Sequence, residues 1–171
     1  MGCYMTMPLE REVSRKSRLA NVIFYTGLGL YALSFFLPVF TPDKMGSRAI
    51  PGWRCAYVAL FLWFIDLGPN TIPWLNAGYR LGGFGGLINP IAIVFTFLRI
   101  LDRARRARRF LAATILVCIL LTWISLFILC TEDAACPGVG HAVWIAGLLL
   151  MISGTVRECT TSIHRTNSRG C

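Results

Sequence analysis

Charge is scarce in this chain, and acid is scarcer still. Of 171 residues only 15% are charged, eight are Asp or Glu and two are His. A soluble domain carries about 25% charged residues, spread over its surface. Here residues 19–40, 81–98 and 110–130 hold no charge, and residues 139–156 hold only His141. This clustering excludes an ordinary soluble fold. The lack of Asp, Glu, Lys and Arg inside all four runs argues against a proton pump or ion-coupled carrier. Such proteins place an ionisable group near the bilayer midplane. No nucleophile has a recognisable base and orienting partner, so no covalent mechanism can be written. His141, Glu132 and Asp133 share a short loop, but their spacing matches no metal motif, and no metal or cofactor is expected.

Apolar residues and arginine are what the chain does have. Hydrophobic residues make up 56%, mean hydropathy is +0.62 and the formal net charge is +9. The third apolar run is preceded by Arg99 and then by Arg103, Arg105, Arg106, Arg108 and Arg109. Two further basic clusters are Arg11, Arg15, Lys16 and Arg18 near the start and Arg157, Arg165 and Arg169 near the end. All three flank apolar runs, where positive charge sets membrane orientation and meets anionic lipid. The charge is therefore read as topology and lipid contact, with no nucleic-acid partner. The arginine run is expected to be a short cytoplasmic loop touching anionic lipids or a partner protein.

Four membrane spans follow, at about residues 19–40, 81–100, 110–130 and 139–156. The first, 22 uncharged residues, covers about 33 Å as a helix, enough for a hydrocarbon core of about 30 Å. A signal peptide would have a shorter apolar part of about 7–15 residues and a small-residue cleavage site, so this run reads as a retained span. Between the first two spans, Arg54 and Asp66 bracket an eleven-residue apolar stretch. It reaches only about half a membrane. Its context predicts a re-entrant or interfacial half-helix at about 52–67, with a plain packed helix as the alternative. Trp53, Tyr57, Trp63, Phe64 and Trp74 suit the headgroup level. If the stretch spanned the membrane there would be five spans, with the N-terminus and the arginine loop on opposite faces. Four spans place all three basic clusters in the cytoplasm and satisfy the positive-inside rule three times.

The expected architecture is thus all-α: a polytopic membrane protein with four transmembrane helices and a short outer re-entrant or interfacial helix. A basic cytoplasmic arm (1–18) precedes the transmembrane bundle (19–157), and a cytoplasmic tail (158–171) follows. The site is the cell (inner) membrane.

Few residues inside this frame carry chemistry. Asp66 closes the half-helix and is a candidate polar site, or else a mark of the water boundary. Asn89-Pro90 lies inside the second span. Pro90 kinks a helix or starts one late, and Asn89 can bond across helices. Gly82, Gly83, Gly85 and Gly86 read as a flexible hinge at the span's entrance. Cys130 and Cys136 are a candidate disulfide on the outer side. Cys118 reads as packing. Met1-Gly2-Cys3-Tyr4-Met5-Thr6 fits an acylation pattern that a polytopic protein hardly needs.

The order of Ser34–Pro38 (SFFLP), Gly52-Trp53, Trp74–Asn76, Asn89-Pro90 and Val143-Trp144 resembles that of small uncharacterised bacterial inner-membrane proteins. The resemblance implies a four-helix membrane protein and no particular activity. The expected function is non-enzymatic, exercised through a membrane partner or as a homo-oligomer. A small channel or carrier using the re-entrant segment is the alternative. A lipid-modifying enzyme at the outer face, working with Asp66, Glu132, Asp133 and His141, is more remote.

Overall fold

The computed structural model describes residues 7–41, 50–62, 73–102, 104–131 and 136–167. Among these, five helices and three short strands follow in the order α1 (Met7–Ser34), β1 (Pro38–Thr41), β2 (Ile50–Pro51), α2 (Gly52–Phe61), α3 (Pro73–Ile100), α4 (Arg105–Thr131), β3 (Cys136–Pro137) and α5 (Val139–Asn167). The protein is all-α in its bulk. Among the described residues, Asn76–Ile100, Arg105–Thr131 and Val139–Glu158 are long and apolar enough to cross a membrane. Exposed side chains on these helices include Ile93, Phe97, Leu120, Trp123, Phe127 and Leu149. An apolar girdle of this kind suits acyl chains and would aggregate in water.

The expected span boundaries need correction, each for a local reason. The first run was expected to stay helical to residue 40, but α1 stops at Ser34. Pro38 cannot continue a helix and pushes the residue before it into extended backbone. The bonds Phe36 N→Leu33 O (3.0 Å) and Leu37 N→Ser34 O (3.3 Å) tighten the last turn. The uncharged part of α1 is then too short and too polar, with Asn21 and Thr26, to match the other three long helices. The arm at 1–18 is helical from Met7, and α5 runs on into the expected tail. The arginine run is not a loop, because α4 begins at Arg105. Arginine is a good helix former, so only a tight turn separates α3 from α4. In that turn Asp102 and Ala104 take left-handed backbone, with φ of 47° and 52°. The glycine run is not a hinge and Pro90 is not a late start. Both lie within α3, which begins at Pro73.

Three antiparallel strands in the order β2-β1-β3 tie the loops together at one end of the bundle. Phe40 pairs with Ile50 on one side and with Pro137 on the other. Sequence reading anticipated no sheet, because strands of two to four residues carry too little pattern. The arginine turn lies at the opposite end.

The long helices pack as two pairs. In α1/α5, small residues recur every seven positions on both partners. Ala20 and Gly27 on α1 face Gly154 and Gly147 on α5, and Gly140 rests on Leu37-Pro38 just past the end of α1. A Cβ on Gly147 would lie 2.6 Å from Tyr31 N, and one on Gly154 would lie 2.7 Å from Ala20 O. The two backbones touch, which only small residues permit. In α3/α4 the fit is glycine against side chain. Gly78, Gly82 and Gly85 receive Ile128, Ser125 and Thr122, and Ser125 Oγ donates to Gly78 O at 2.7 Å. Phe24, Ile88, Phe95, Ile115, Leu148 and Met151 fill the space between the pairs and are almost wholly buried.

Candidate functional site

Helix α2 decides where space is left. Its first two N–H groups are taken by the turn after α1, through Gly52 N→Leu37 O (3.0 Å) and Trp53 N→Phe35 O (2.9 Å). Ala59 then rests on Gly86 of α3, so closely that a Cβ there would lie 2.6 Å from Leu60 N. Trp53, Tyr57 and Phe61 point outward, each four residues from the last and so on one face of the helix. The half-helix expected at 52–67 is thus ten residues long as described, packed on one face and aromatic on the other.

Held this way, α2 roofs a cavity of about 100 Å³ at the sheet end of the bundle. Every helix contributes to its wall: Ser34 from α1, Cys55 and Ala56 from α2, Asn89 from α3, Thr122 and Ser125 from α4, His141 and Trp144 from α5. The wall is mostly apolar, and nearly all its polar groups are engaged elsewhere. Ser34 Oγ donates to Tyr31 O (2.6 Å) and Thr122 Oγ1 to Cys118 O (2.8 Å). Asn89 Oδ1 accepts from Tyr31 Oη (2.9 Å) on α1 and from Trp144 Nε1 (3.3 Å) on α5. Burial among apolar neighbours pushes the Cys55 thiol up to about 11.

His141 brings a buried polar atom with no partner to this wall. It is 6% exposed, and its Nε2 has no hydrogen-bond partner. Its ring lies against Trp144 (centroids 5.5 Å apart) and edge-on to Trp123 (6.2 Å). The indoles fix the imidazole without satisfying it. A buried polar atom without a partner costs free energy comparable to a lost hydrogen bond.

The opposite end buries charge instead. Arg99 and Arg108 are 8% and 1% exposed. Glu158 Oε2 lies between them, 2.9 Å from Arg99 Nη1 and 3.6 Å from Arg108 Nη1. Arg108 Nη2 also meets Asp102 Oδ1 at 3.1 Å, and Arg99 Nη2 donates to Asn21 Oδ1 at 2.7 Å. The Arg99 guanidinium sits 5.3 Å from the centre of the Phe24 ring. The cluster joins α1, α3, α4 and α5 through ion pairs and one neutral amide.

The residues picked out from sequence fall unevenly on this geometry. Asn89 lines the cavity and bonds across helices. Arg108 turns inward to acids, contrary to its expected contact with lipid or partner. Arg105, Arg106 and Arg109 are exposed at the surface. Arg103, Asp66, Glu132 and Asp133 lie outside the described residues, as do residues 1–6. Cys130 is half-buried in the last turn of α4, and the Cys136 side chain is outside the described ones. The landmarks of the sequence order converge, since Ser34, Phe35, Gly52, Asn89 and Trp144 all line the cavity. Sequence reasoning missed His141 as a cavity residue, read Arg99 only as part of a basic cluster and missed Glu158 altogether. One signal for Glu158 was present, because it is the only acid after Asp133.

No family model matches this chain, and no curated protein or solved structure is significantly similar to it.

Proposed function

We propose that this chain is a non-enzymatic binding protein of the cell membrane. It is threaded four times, with both termini and the arginine turn in the cytoplasm and the cavity on the other side. Its cavity holds a small, largely apolar molecule. The observation that carries this reading is the buried, unpartnered His141 Nε2 in a cavity otherwise lined by apolar groups and committed hydroxyls. Sites of this composition, mostly apolar with a few convergent polar atoms, are the ordinary form of small-molecule sites. A carrier would need a path onward to the arginine end. Phe24, Phe95, Ile115, Leu148 and Met151 fill that way with fully buried side chains, which favours holding over passage. Arg106 and Arg109, exposed beside the turn, suit anionic headgroups on the cytoplasmic face.

Gentle extraction of the tagged protein from its native membrane, followed by native mass determination, tests the reading. A retained small molecule, lost when Ala56→Phe fills the cavity, supports it. Identical adducts on both forms, or none on either, overturn it.

A further inference from the structure

The cavity wall also says which chemical group the bound molecule presents, an inference that rests on the binding reading above. Each serine or threonine hydroxyl lining the cavity has already given its proton to a carbonyl: Ser34 to Tyr31 O, Thr122 to Cys118 O and Ser125 to Gly78 O. A hydroxyl has one proton and two lone pairs. These three therefore have only lone pairs left for the cavity. The Trp144 N–H and the Tyr31 hydroxyl proton are likewise committed, both to Asn89 Oδ1. His141 Nε2 is free, and in the neutral imidazole it is an acceptor or a donor according to tautomer.

We propose that the cavity binds a small apolar molecule bearing one hydroxyl, an alcohol or a phenol, with that hydroxyl paired to His141 Nε2. A hydroxyl is the group that fits this lining. It donates where the wall accepts, and it pairs with His141 in either tautomer. A ketone or ether can accept from the Asn89 Nδ2 amide on the same wall, but neither it nor a hydrocarbon brings a proton to the hydroxyl lone pairs, whereas a hydroxyl does both. An ammonium or carboxylate would bury a charge with no counter-charge among the lining residues, a far larger cost. The volume sets the size. About 100 Å³ is of the same order as the roughly 150 Å³ apolar cavity that takes up benzene. One ring or one branched chain end fills it. The flanking indoles of Trp123 and Trp144 hold the His141 ring in place, so little ordering is needed on binding.

The test uses the full chain in lipid nanodiscs and three ¹⁹F probes followed by NMR: 4-fluorophenol, 4-fluoroanisole and fluorobenzene. The two controls lack the hydroxyl proton, and one is larger and one smaller than the phenol, so size alone cannot produce the expected ranking. The phenol is expected to bind about tenfold more tightly than either control, the worth of one well-placed hydrogen bond. His141→Phe, which keeps the aromatic stack, should bring the three within about twofold of one another. If that variant fails to fold, Thr122→Val removes a lone-pair acceptor at nearly constant shape and should shrink the preference. Equal binding of all three probes to the unaltered protein overturns the hydroxyl inference and leaves the cavity reading standing. A preference that survives in a folded His141→Phe overturns the role of His141. Binding that persists unchanged in Ala56→Phe, or no binding beyond protein-free nanodiscs, overturns the cavity reading itself.

Discussion

The two ends of this bundle bury polar groups by opposite means. At the arginine end, the buried charges of Arg99 and Arg108 are set against the half-buried Glu158. At the sheet end, hydroxyls, amide, indole and imidazole are neutral, and nearly all are committed before any ligand arrives. Buried ion pairs contribute little net stability, because desolvation offsets the Coulomb gain, yet breaking one leaves an uncompensated charge. Neutral hydrogen bonds are individually weaker and can be lost singly. The arginine end should therefore behave as a unit, while the sheet end should tolerate change and leave room for a ligand.

Four measurements sharpen or break this contrast. Removing Glu158 is the severest test, since both buried guanidinium groups lose their shared acid. Glu158→Ala should cost about 3–5 kcal/mol of unfolding free energy. The exposed Asp102, at 62% side-chain exposure, should cost under about 1 kcal/mol when replaced by Ala. Similar losses for the two would mean that the cluster is not a unit. The next test asks how well the sheet end excludes water. With its pKa raised from 9.0 to about 11, the Cys55 thiol should carry about a hundredfold less thiolate at pH 8 than an ordinary cysteine. Maleimide labelling in the folded protein should be slower by that factor and climb as pH rises towards 11. Labelling at the rate of a free thiol would place Cys55 in contact with bulk water. Asn89→Ala strips the acceptor from Tyr31 and Trp144 together and should cost about 1–3 kcal/mol. Equilibrium unfolding in mixed micelles reads it, and a loss as large as that of Glu158→Ala would erase the difference between the ends. The smallest effect has the opposite sign. Ala104 sits at φ 52°, a backbone that penalises any side chain, so Ala104→Gly should stabilise by about 1 kcal/mol. A destabilised variant would show that the turn is held by something other than its own strain.

How far these features could be read beforehand follows from their range in the sequence. Apolar runs are local, and three of them marked membrane-competent helices. Helix ends are local too, but they obey backbone rules rather than hydropathy. Leu37-Pro38-Val39-Phe40 is apolar enough to extend a span, yet Pro38 turns it into strand. The reverse holds at Arg105, where charge suggested a loop and propensity kept a helix. The seven-residue spacing of Gly147 and Gly154 against Ala20 and Gly27 was visible in the letters, though only as two separate stripes. What matched them was an antiparallel register more than 100 residues apart. The Arg108–Glu158 pair spans 50 positions, so nothing near Arg108 says that it points inward. His141 shares a loop with Glu132 and Asp133 in sequence, which suggests at most a metal ligand. Its setting between two indoles comes from tertiary packing alone.

The α1/α5 stripe also fixes an order of events. Synthesis makes α1 first and α5 last, and about 105 residues separate the end of one from the start of the other. At the usual rate of about 5–20 residues per second, α1 waits on the order of ten seconds for its partner. During that interval its glycine face has nothing to close against, and it is not apolar enough to match the other long helices in holding a place among lipids. The last helix is thus what commits the first. A chain that stops before Val139 leaves the face of α1 around Ala20 and Gly27 without the glycines that cover it.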